Sequence, residues 1–186
     1  MSDLTITTAG ITESKVTGGE FLSSEKKLNQ MKIEFIDVTV TLSGSAHTLG
    51  YMMFHPQKIE NALSVKGGKG VLQSISVIAD ESNVTGGFDL VITSSSDNTG
   101  MVAQNSTGTV AATSTTNAAI SNKTCGFVTF NNMMDVGAVT IGCKNNIGMV
   151  VKAEDTSRDL YVWGIARSTN NYNGSDLVLR FGIMQD

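Results

Sequence analysis

In the stretch Glu34–Leu42, EFIDVTVTL, apolar and polar side chains alternate strictly from Ile36 onward, and this pattern restricts how the chain can fold. A period of two places Ile36, Val38 and Val40 on one side of an extended backbone and the intervening Asp and Thr residues on the other. A helix would scatter the same side chains around its axis. The pattern therefore predicts a β-strand with one face in a core and one face in water.

Similar runs follow along the chain, separated by polar or glycine-containing segments. They are HTLGYMMF, VLQSISVIA, GGFDLVITSS, CGFVTF, VGAVTIGC, IGMVVKA, DLYVWGIAR and DLVLRFGIM. In VLQSISVIA, the alternation predicts that Val71, Ile75 and Val77 face inward. The last run closes the chain, so we expect the sequence to end on a structural strand and not on a frayed tail.

The connections between these runs carry turn signals. Pro56 is expected to end the second run, because proline cannot donate a hydrogen bond to a ladder. GGKG at 67–70 is predicted to be a tight turn, since it lacks the spacing of a phosphate-binding loop and precedes a strand. KNN at 144–146 and EDTSR at 154–158 are also predicted to be turns.

About eight short strands separated by turns, with no convincing helical stripe, predict an all-β fold. One-sided alternation is typical of antiparallel pairing, and the strand number fits a jelly-roll-like β-sandwich. The predicted core residues share the inward phase of their runs. They are Ile36, Val38, Val40, Leu72 or Ile75, Leu90, Val150 or Val151, Leu179 and Phe181.

The domain organisation follows from where the alternation is lost. Residues 1–30 are polar with scattered hydrophobes and are predicted to form an extended N-terminal arm. Residues 31–186 are predicted to form a single β-sandwich domain. Within it, the segment at about 93–124 consists almost wholly of small polar residues, Ala and Gly, a composition typical of a long loop.

Composition and charge exclude several classes of function. Charged residues make up 16% of the chain, against about 25% in an average domain. A formal net charge of −4 and a pI of 5.1 argue against binding nucleic acid or an acidic membrane. No basic, apolar leader begins the sequence and no run is long enough for a membrane helix, so neither a signal peptide nor a membrane-spanning helix is predicted.

The sequence contains no pattern that assigns a chemical reaction. His47 and His55 lack a spacing that would bring a second strong ligand to the same face, so no metal and no cofactor are predicted. No G-x-S-x-G elbow singles out a nucleophile, and the prediction is that the protein is not an enzyme. Cys125 and Cys143 are interpreted as free, buried thiols, with a disulfide as the alternative.

Two groups of residues are candidates for contact with a partner. Tyr161, Trp163 and Arg167 share one face of a strand whose other face is apolar, and Trp, Tyr and Arg are enriched at binding hot spots. Burial of Trp163 in a second apolar cluster under a loop explains the same pattern equally well. The remaining candidates are Tyr172 in the following bend and the arm residues Leu4, Ile6, Ile11 and Phe21.

The C-terminal block LYVWGIARSTNNYNGSDLVLRFGIMQD, with NNIGMVVKA before it and VLQSISVIAD upstream, resembles small tailed-phage virion proteins of the head decoration or cement type. The resemblance covers roughly residues 34–186, and the last fifty residues carry most of it. No catalytic motif belongs to this group, so no active-site residue is implied.

The resemblance implies a structural protein that binds the outer surface of the assembled major capsid protein and stabilises the head. It implies location on the virion, and local threefold positions on capsids favour a homotrimer. The alternative is a tail or fibre module that recognises a glycan on the host surface, for which STNNYNGSD at 168–176 would supply polar loop residues.

Overall fold

The structure is a computed structural model that describes most of residues 32–185. The described residues are 32–40, 42, 47–79, 86–97, 101, 123–131, 133–169 and 177–185, with the backbone of 5–6 and 14–15. Backbone contacts divide the chain into one unit of residues 1–32 and another of residues 33–186. In the first unit, β1 (Thr5–Ile6) pairs antiparallel with β2 (Ser14–Lys15).

The described residues of the second unit form nine strands, and none of the strand-forming runs becomes a helix. The strands are β3 (Lys32–Val40), β4 (Met52–Ile59), β5 (Lys69–Ala79), β6 (Phe88–Thr93), β7 (Thr124–Phe130), β8 (Met134–Asp135), β9 (Thr140–Lys152), β10 (Leu160–Ala166) and β11 (Leu177–Gln185). They form a four-stranded sheet in the order β4-β10-β6-β7 and a five-stranded sheet in the order β3-β11-β5-β9-β8.

The strand order is that of a jelly roll. If the two-residue strand β8 is set aside, the eight remaining strands pair as first with eighth, second with seventh, third with sixth and fourth with fifth. This is the pairing of one long antiparallel ribbon, and rolling the ribbon up adds the contacts of β11 with β5 and of β10 with β6. Every pair whose register is described runs antiparallel. The predicted all-β, jelly-roll-like sandwich is confirmed.

A single apolar core lies between the two sheets. It combines Phe54, Leu90 and Val162 of the four-stranded sheet with Val77 and Leu179 of the five-stranded sheet. All five side chains are fully buried. Because one cluster contains inward side chains from both sheets, the sheets pack face to face as a sandwich.

Two close contacts in this core involve cross-strand partners. Phe88 and Phe130 are paired across β6 and β7, and their rings stack with centroids 5.3 Å apart. Gly164 faces Phe54 across β10 and β4, and a Cβ at Gly164 would lie 2.4 Å from Phe54 Cε1. Glycine is therefore required there for the phenylalanine ring to lie flat against the neighbouring strand.

The predicted core residues lie where the alternation placed them. Val38, Val40, Leu72, Ile75, Leu90, Val151, Leu179 and Phe181 are each at most 7% exposed, and Ile36 is half-buried against the same core. Of the alternative pair in β9, Val151 is buried and Val150 is 67% exposed. The closing strand β11 lies between β3 and β5, which confirms that the last run is a structural strand.

The prediction that Pro56 ends the second run is wrong. Strand β4 continues through Pro56 to Ile59. Proline is tolerated at position 56 because β4 is an edge strand of its sheet. In addition, the register with β10 shifts between Val162 and Gly164, beside Pro56. Edge strands and bulges are the places where a missing N–H removes no ladder bond.

The predicted turn at KNN is also wrong, because β9 passes through it as one strand of 13 residues. The pairing with β5 jumps from Ser74 opposite Asn145 to Leu72 opposite Met149. Asn146 and Gly148 adopt positive φ values of 56° and 67° within this irregular segment. A bulge accommodates the extra residues and bends the strand without ending it.

The same irregularity explains why Val71 does not face the core. Gln73 is paired with no residue of β11 or β9, whereas Leu72 and Ser74 are paired with both strands, so the alternation changes phase at this point. Leu72 turns inward, at 1% exposure, and Val71 points to the outer face of the sheet and is half-buried. A one-residue change of phase moves every following side chain to the opposite face.

Replacement of Leu179 by alanine tests the core assignment. Leu179 is 0% exposed at the centre of β11, and the change should lower the free energy of unfolding by about 2–5 kcal/mol. Leu49→Ala is the matched control, since the same atoms are removed from a residue that is 64% exposed. Reversible chemical denaturation measures both. A loss for Leu179→Ala as small as that for Leu49→Ala would remove Leu179 from the core.

Candidate interaction surfaces

Trp163 lies on the outer face of the four-stranded sheet, in a row of apolar side chains. It is the direct cross-strand partner of Val91 in β6, and Val91 is in turn the partner of Phe127 in β7. Trp163 and Val91 are 4% and 8% exposed, whereas Phe127 at the edge of the sheet is 62% exposed. The row therefore passes from a covered region to an open one.

Trp163 belongs to a second apolar cluster, separate from the core between the sheets. This cluster contains Met52 and Val91, with Met101 and Ile165 packed against it. Of the two explanations offered by the sequence, burial in a second apolar cluster is the one observed. The indole Nε1 is buried and has no hydrogen-bond partner within the described part of the chain.

Arg167 is held on the same face by an ion pair. Its Nε lies 2.5 Å from Oδ2 of Asp89, whose other oxygen accepts a 2.6 Å hydrogen bond from Thr129 Oγ1. The Asp89 side chain is only 10% exposed, whereas that of Arg167 is 52% exposed. The guanidinium therefore neutralises a nearly buried carboxylate and still presents part of its surface to solvent.

The other predicted contact residues are described only in part. Tyr161 is half-buried and stands between Thr93 and Lys58 in the ladders on either side of β10. Ile6 lies in β1, for which the backbone alone is described. Leu4, Ile11, Phe21 and Tyr172 lie outside the described residues. The proposed contact of all these residues with a partner stays a prediction.

The two histidines occupy different environments. His47 is fully buried, and neither ring nitrogen has a hydrogen-bond partner within the described residues. Burial lowers the pKa of His47, because the charged imidazolium would lose its hydration. His55 is half-buried in β4. Among the described residues, no group of three or more His, Cys, Asp or Glu side chains is arranged to hold a metal ion.

The two cysteines are free thiols and not a disulfide. Cys125 is half-buried in β7, and burial raises the pKa of its thiol. Cys143 is exposed in β9, with its Sγ 3.5 Å from Ser76 Oγ. The interpretation of Cys143 as a buried thiol is therefore wrong, because it faces outward between the inward-facing Gly142 and the exposed Lys144.

One groove of about 570 Å³ lies between the start of β7 and the end of β9, and its charged groups are already compensated. Lys123 Nζ lies 3.5 Å from Glu154 and 3.8 Å from Asp97, and Lys152 Nζ lies 3.1 Å from Asp155. These paired charges leave no excess of one sign for a charged ligand. In the described residues, no helix is long and apolar enough to cross a membrane.

The outer face of the five-stranded sheet was not anticipated as a contact surface. Several of its strands are apolar on both sides: Ile78 follows the buried Val77, and Val150 precedes the buried Val151. Phe35 and Met134 on the same sheet are 67% and 64% exposed. Consecutive apolar residues in a strand were the available signal, since one side chain of each pair must face away from the core.

Comparisons with known proteins define no family for this chain. No family model and no curated protein matches the sequence. A solved structure described as Desmodium yellow mottle tymovirus is similar at 13% sequence identity and a TM-score of 0.25, over 98% of this chain and 90% of that one. The description of the fold as a jelly roll depends on the strand order and not on this likeness.

Arg167→Gln tests whether the ion pair stabilises the sheet. The substitution leaves the nearly buried Asp89 carboxylate with Thr129 as its remaining partner, so we expect a loss of about 1–3 kcal/mol in the free energy of unfolding. Arg180→Gln is the control, because it breaks a bidentate pair with Asp37 in which both side chains are about half exposed. Equal losses for the two variants in chemical denaturation would contradict the assignment.

The burial of His47 predicts that the free energy of unfolding decreases as the pH falls. Above pH 6.5, the ordinary pKa of histidine, His47 is neutral in both states. As the pH falls through this value, the unfolded chain takes up a proton that the folded chain, with its lowered pKa, does not. Stability therefore decreases towards acid, by at most about 1.4 kcal/mol per pH unit for one proton.

The measurement is the free energy of unfolding between about pH 7.5 and pH 5.5, where this one-proton effect should appear. His47→Leu should give a flatter profile than the unmodified chain. Leu49→Ala, which removes apolar atoms from an exposed residue and changes no titratable group, is the control and should keep the original slope. A His47→Leu profile as steep as the original would show that another group causes the acid sensitivity.

Proposed function

We propose that this protein is a virion structural protein of a tailed phage, of the capsid decoration or cement type. It binds the outer surface of the assembled major capsid protein, stabilises the head and catalyses no reaction. In this proposal it is made in the host cytoplasm, is located on the head surface, forms a homotrimer on the particle, and contacts neither nucleic acid nor membrane.

The proposal rests on one observation: large apolar side chains are exposed on the outer faces of both sheets, although the core between the sheets is already closed. Phe127 on one outer face and Phe35 on the other are each more than 60% exposed. Large apolar side chains grouped on a surface mark sites of protein contact. The resemblance of the C-terminal block to decoration proteins supports the same role.

The fold is compatible with this role but does not select it. Jelly rolls occur in viral capsid domains and also in lectins and enzymes, so function has to be inferred from the surfaces. A sandwich with a closed core gives a rigid body that adds contact area to a shell without changing its own structure. Many identical copies on one particle make weak individual contacts effectively permanent.

The alternative, a glycan-binding tail or fibre module, has less support. Lectin-type sites use exposed aromatic rings as stacking platforms, whereas Trp163 and Phe181, each five residues from the candidate loop in the sequence, are 4% and 0% exposed. Most of STNNYNGSD lies outside the described residues. No described aromatic side chain therefore favours a sugar site next to that loop.

Direct binding to particles tests the proposal. Purified protein is added to phage particles that lack it, the particles are pelleted and the bound protein is quantified. Saturable binding to heads, accompanied by greater resistance of the heads to heating, is expected. Binding to isolated tails but not to heads would contradict the decoration role and favour the alternative.

Deletion of residues 2–20 tests the contribution of the arm. Its scattered apolar residues, among them Leu4, Ile6 and Ile11, are expected to order against the capsid surface, where contacts offset the lost chain entropy. The truncated protein should keep the circular dichroism spectrum of the sandwich and occupy fewer sites on the heads. A deletion that leaves head occupancy unchanged would show that the arm is not an anchor.

A further inference from the structure

The outer face of the five-stranded sheet carries an apolar row near one end of its strands. The row consists of direct cross-strand partners from four neighbouring strands: Met134, Ile141, Ile78 and Val178. Met134 is 64% exposed and the other three are half-buried. None of the four belongs to the core cluster between the sheets.

A second apolar row crosses the same face near the other end of the strands. Val150, Val71 and Met184 are direct partners across β9, β5 and β11. Val150 is 67% exposed, and the other two are half-buried. The bulge in β5 is what directs Val71 outward and so completes this row.

Small and polar residues separate the two rows. Cys143, Ser76 and Arg180 form one cross-strand set, and Asn145, Ser74 and Gly182 form the next. The charge of Arg180 is neutralised by Asp37, whose two carboxylate oxygens lie 2.7 and 2.8 Å from the guanidinium. The strip between the rows is therefore flat and nearly neutral.

Phe35 completes the surface at its β3 side. A Cβ added to Gly182 would lie 3.1 Å from Phe35 Cε1, so the ring lies over the glycine. The ring remains 67% exposed, and Ile33 beside it is 49% exposed. An aromatic ring that is held in place and still exposed is typical of a binding hot spot.

We infer that this face packs against the same face of a second copy of the chain. Along β5 the outward order is apolar, polar, polar, apolar: Ile78, Ser76, Ser74, Val71. This order is the same from either end, so a twofold axis in the plane of the contact brings apolar rows onto apolar rows and polar strip onto polar strip. A partner of different sequence would need the same pattern, whereas a second copy necessarily has it.

The size of the face agrees with a stable contact. Four strands spaced about 4.8 Å apart, each taken over nine residues, the length of β11, with a rise of about 3.3 Å per residue, together with the two-residue strand β8, give a surface of roughly 600 Å². A standard interface buries about 600–1,000 Å² on each partner. The face is therefore at the lower end of the area that one partner of a standard dimer buries.

This inference concerns the free protein and does not depend on the virion role. A twofold contact uses the same face on both copies and closes at two, so the chain is expected to be a dimer in solution. The trimer proposed for the particle would be imposed by threefold positions on the shell. Because the dimer covers Phe35, contacts on the shell would use other surfaces, such as the outer face of the four-stranded sheet with Phe127.

The first experiment is sedimentation over a range of protein concentrations. The unmodified chain should sediment as a dimer with twice the chain mass of 19.6 kDa. Phe35→Glu and Val150→Lys, which place charge on the face, should each raise the dissociation constant at least about tenfold. The matched controls are Phe127→Glu on the four-stranded sheet and Val65→Lys outside the sheets. Phe127 and Val65 are 62% and 57% exposed, and their replacement should leave the dissociation constant of the dimer unchanged.

The second experiment uses Cys143, which lies in the polar strip at the centre of the face. In a Cys125→Ser background, Cys143 is the one remaining thiol of the chain. Its rate of reaction with a maleimide should fall as protein concentration rises, and Phe35→Glu should abolish that protection. Circular dichroism checks that each variant is folded, and Val150→Lys alone suffices if Phe35→Glu fails this check.

Several results would overturn the inference. If the chain stays monomeric at concentrations up to about 100 μM, the contact is weaker than is typical of specific interfaces. A dimer or trimer in which Cys143 reacts at its full rate would show that another surface forms the contact. The same conclusion would follow if the control substitutions weakened the dimer as much as the substitutions on the face do. Loss of head binding in the face variants without any change in their mass in solution would also overturn it, since the occupant would then be the capsid.

Discussion

The pairing of β11 with both β3 and β5 is the constraint on which the rest of the sandwich depends. It joins the first strand of the sandwich to the last and adds Leu179 and Phe181 to the core. The two ends of the strand-forming sequence must therefore meet before the five-stranded sheet is complete. Long-range pairings of this kind are typical of proteins that fold slowly, because the entropy of closing the chain is lost before most of the core forms.

The rolled ribbon gives the protein two outer faces of different character. On the four-stranded sheet, Trp163 is covered and Asp89 is bound by Arg167, and Phe127 at the edge is the large apolar side chain that stays mostly exposed among the described residues of this face. On the five-stranded sheet, Phe35 and Val150 have most of their surface in solvent. A partner that covers the outer face of the five-stranded sheet therefore buries more exposed apolar area, and burial of apolar area is the main favourable term in association.

The fold could be predicted from the sequence wherever the alternation was unbroken. In β3 and β11, each apolar residue in phase lies in or against the core, because a strand without irregularities has only two faces. The prediction failed at the bulges in β5 and β9, where one or more extra residues change the phase. Nothing in the local propensity of Gln73 or Asn146 distinguishes a bulge inside a strand from a turn between two strands.

The candidate site could be predicted less well, since it depends on which strands become neighbours. The sequence favoured a partner contact and burial in a second apolar cluster equally for Trp163, because the residues that cover it come from other strands. The apolar rows were missed because Met134, Ile141 and Ile78 come from three segments of the sequence and become a row only through the register of β8, β9 and β5. Register is set by the whole sheet, so no single segment contains the information.

The separation between core and outer rows has a consequence for assembly. The core between the sheets is closed without any residue of the two outer rows, so the chain can fold before it meets a partner. Association then adds buried apolar area without requiring the sandwich to rearrange, and pre-organised surfaces of this kind lose little entropy on binding. A protein that is added to a finished shell has the same requirement, because it must arrive folded and present a surface that needs no further ordering.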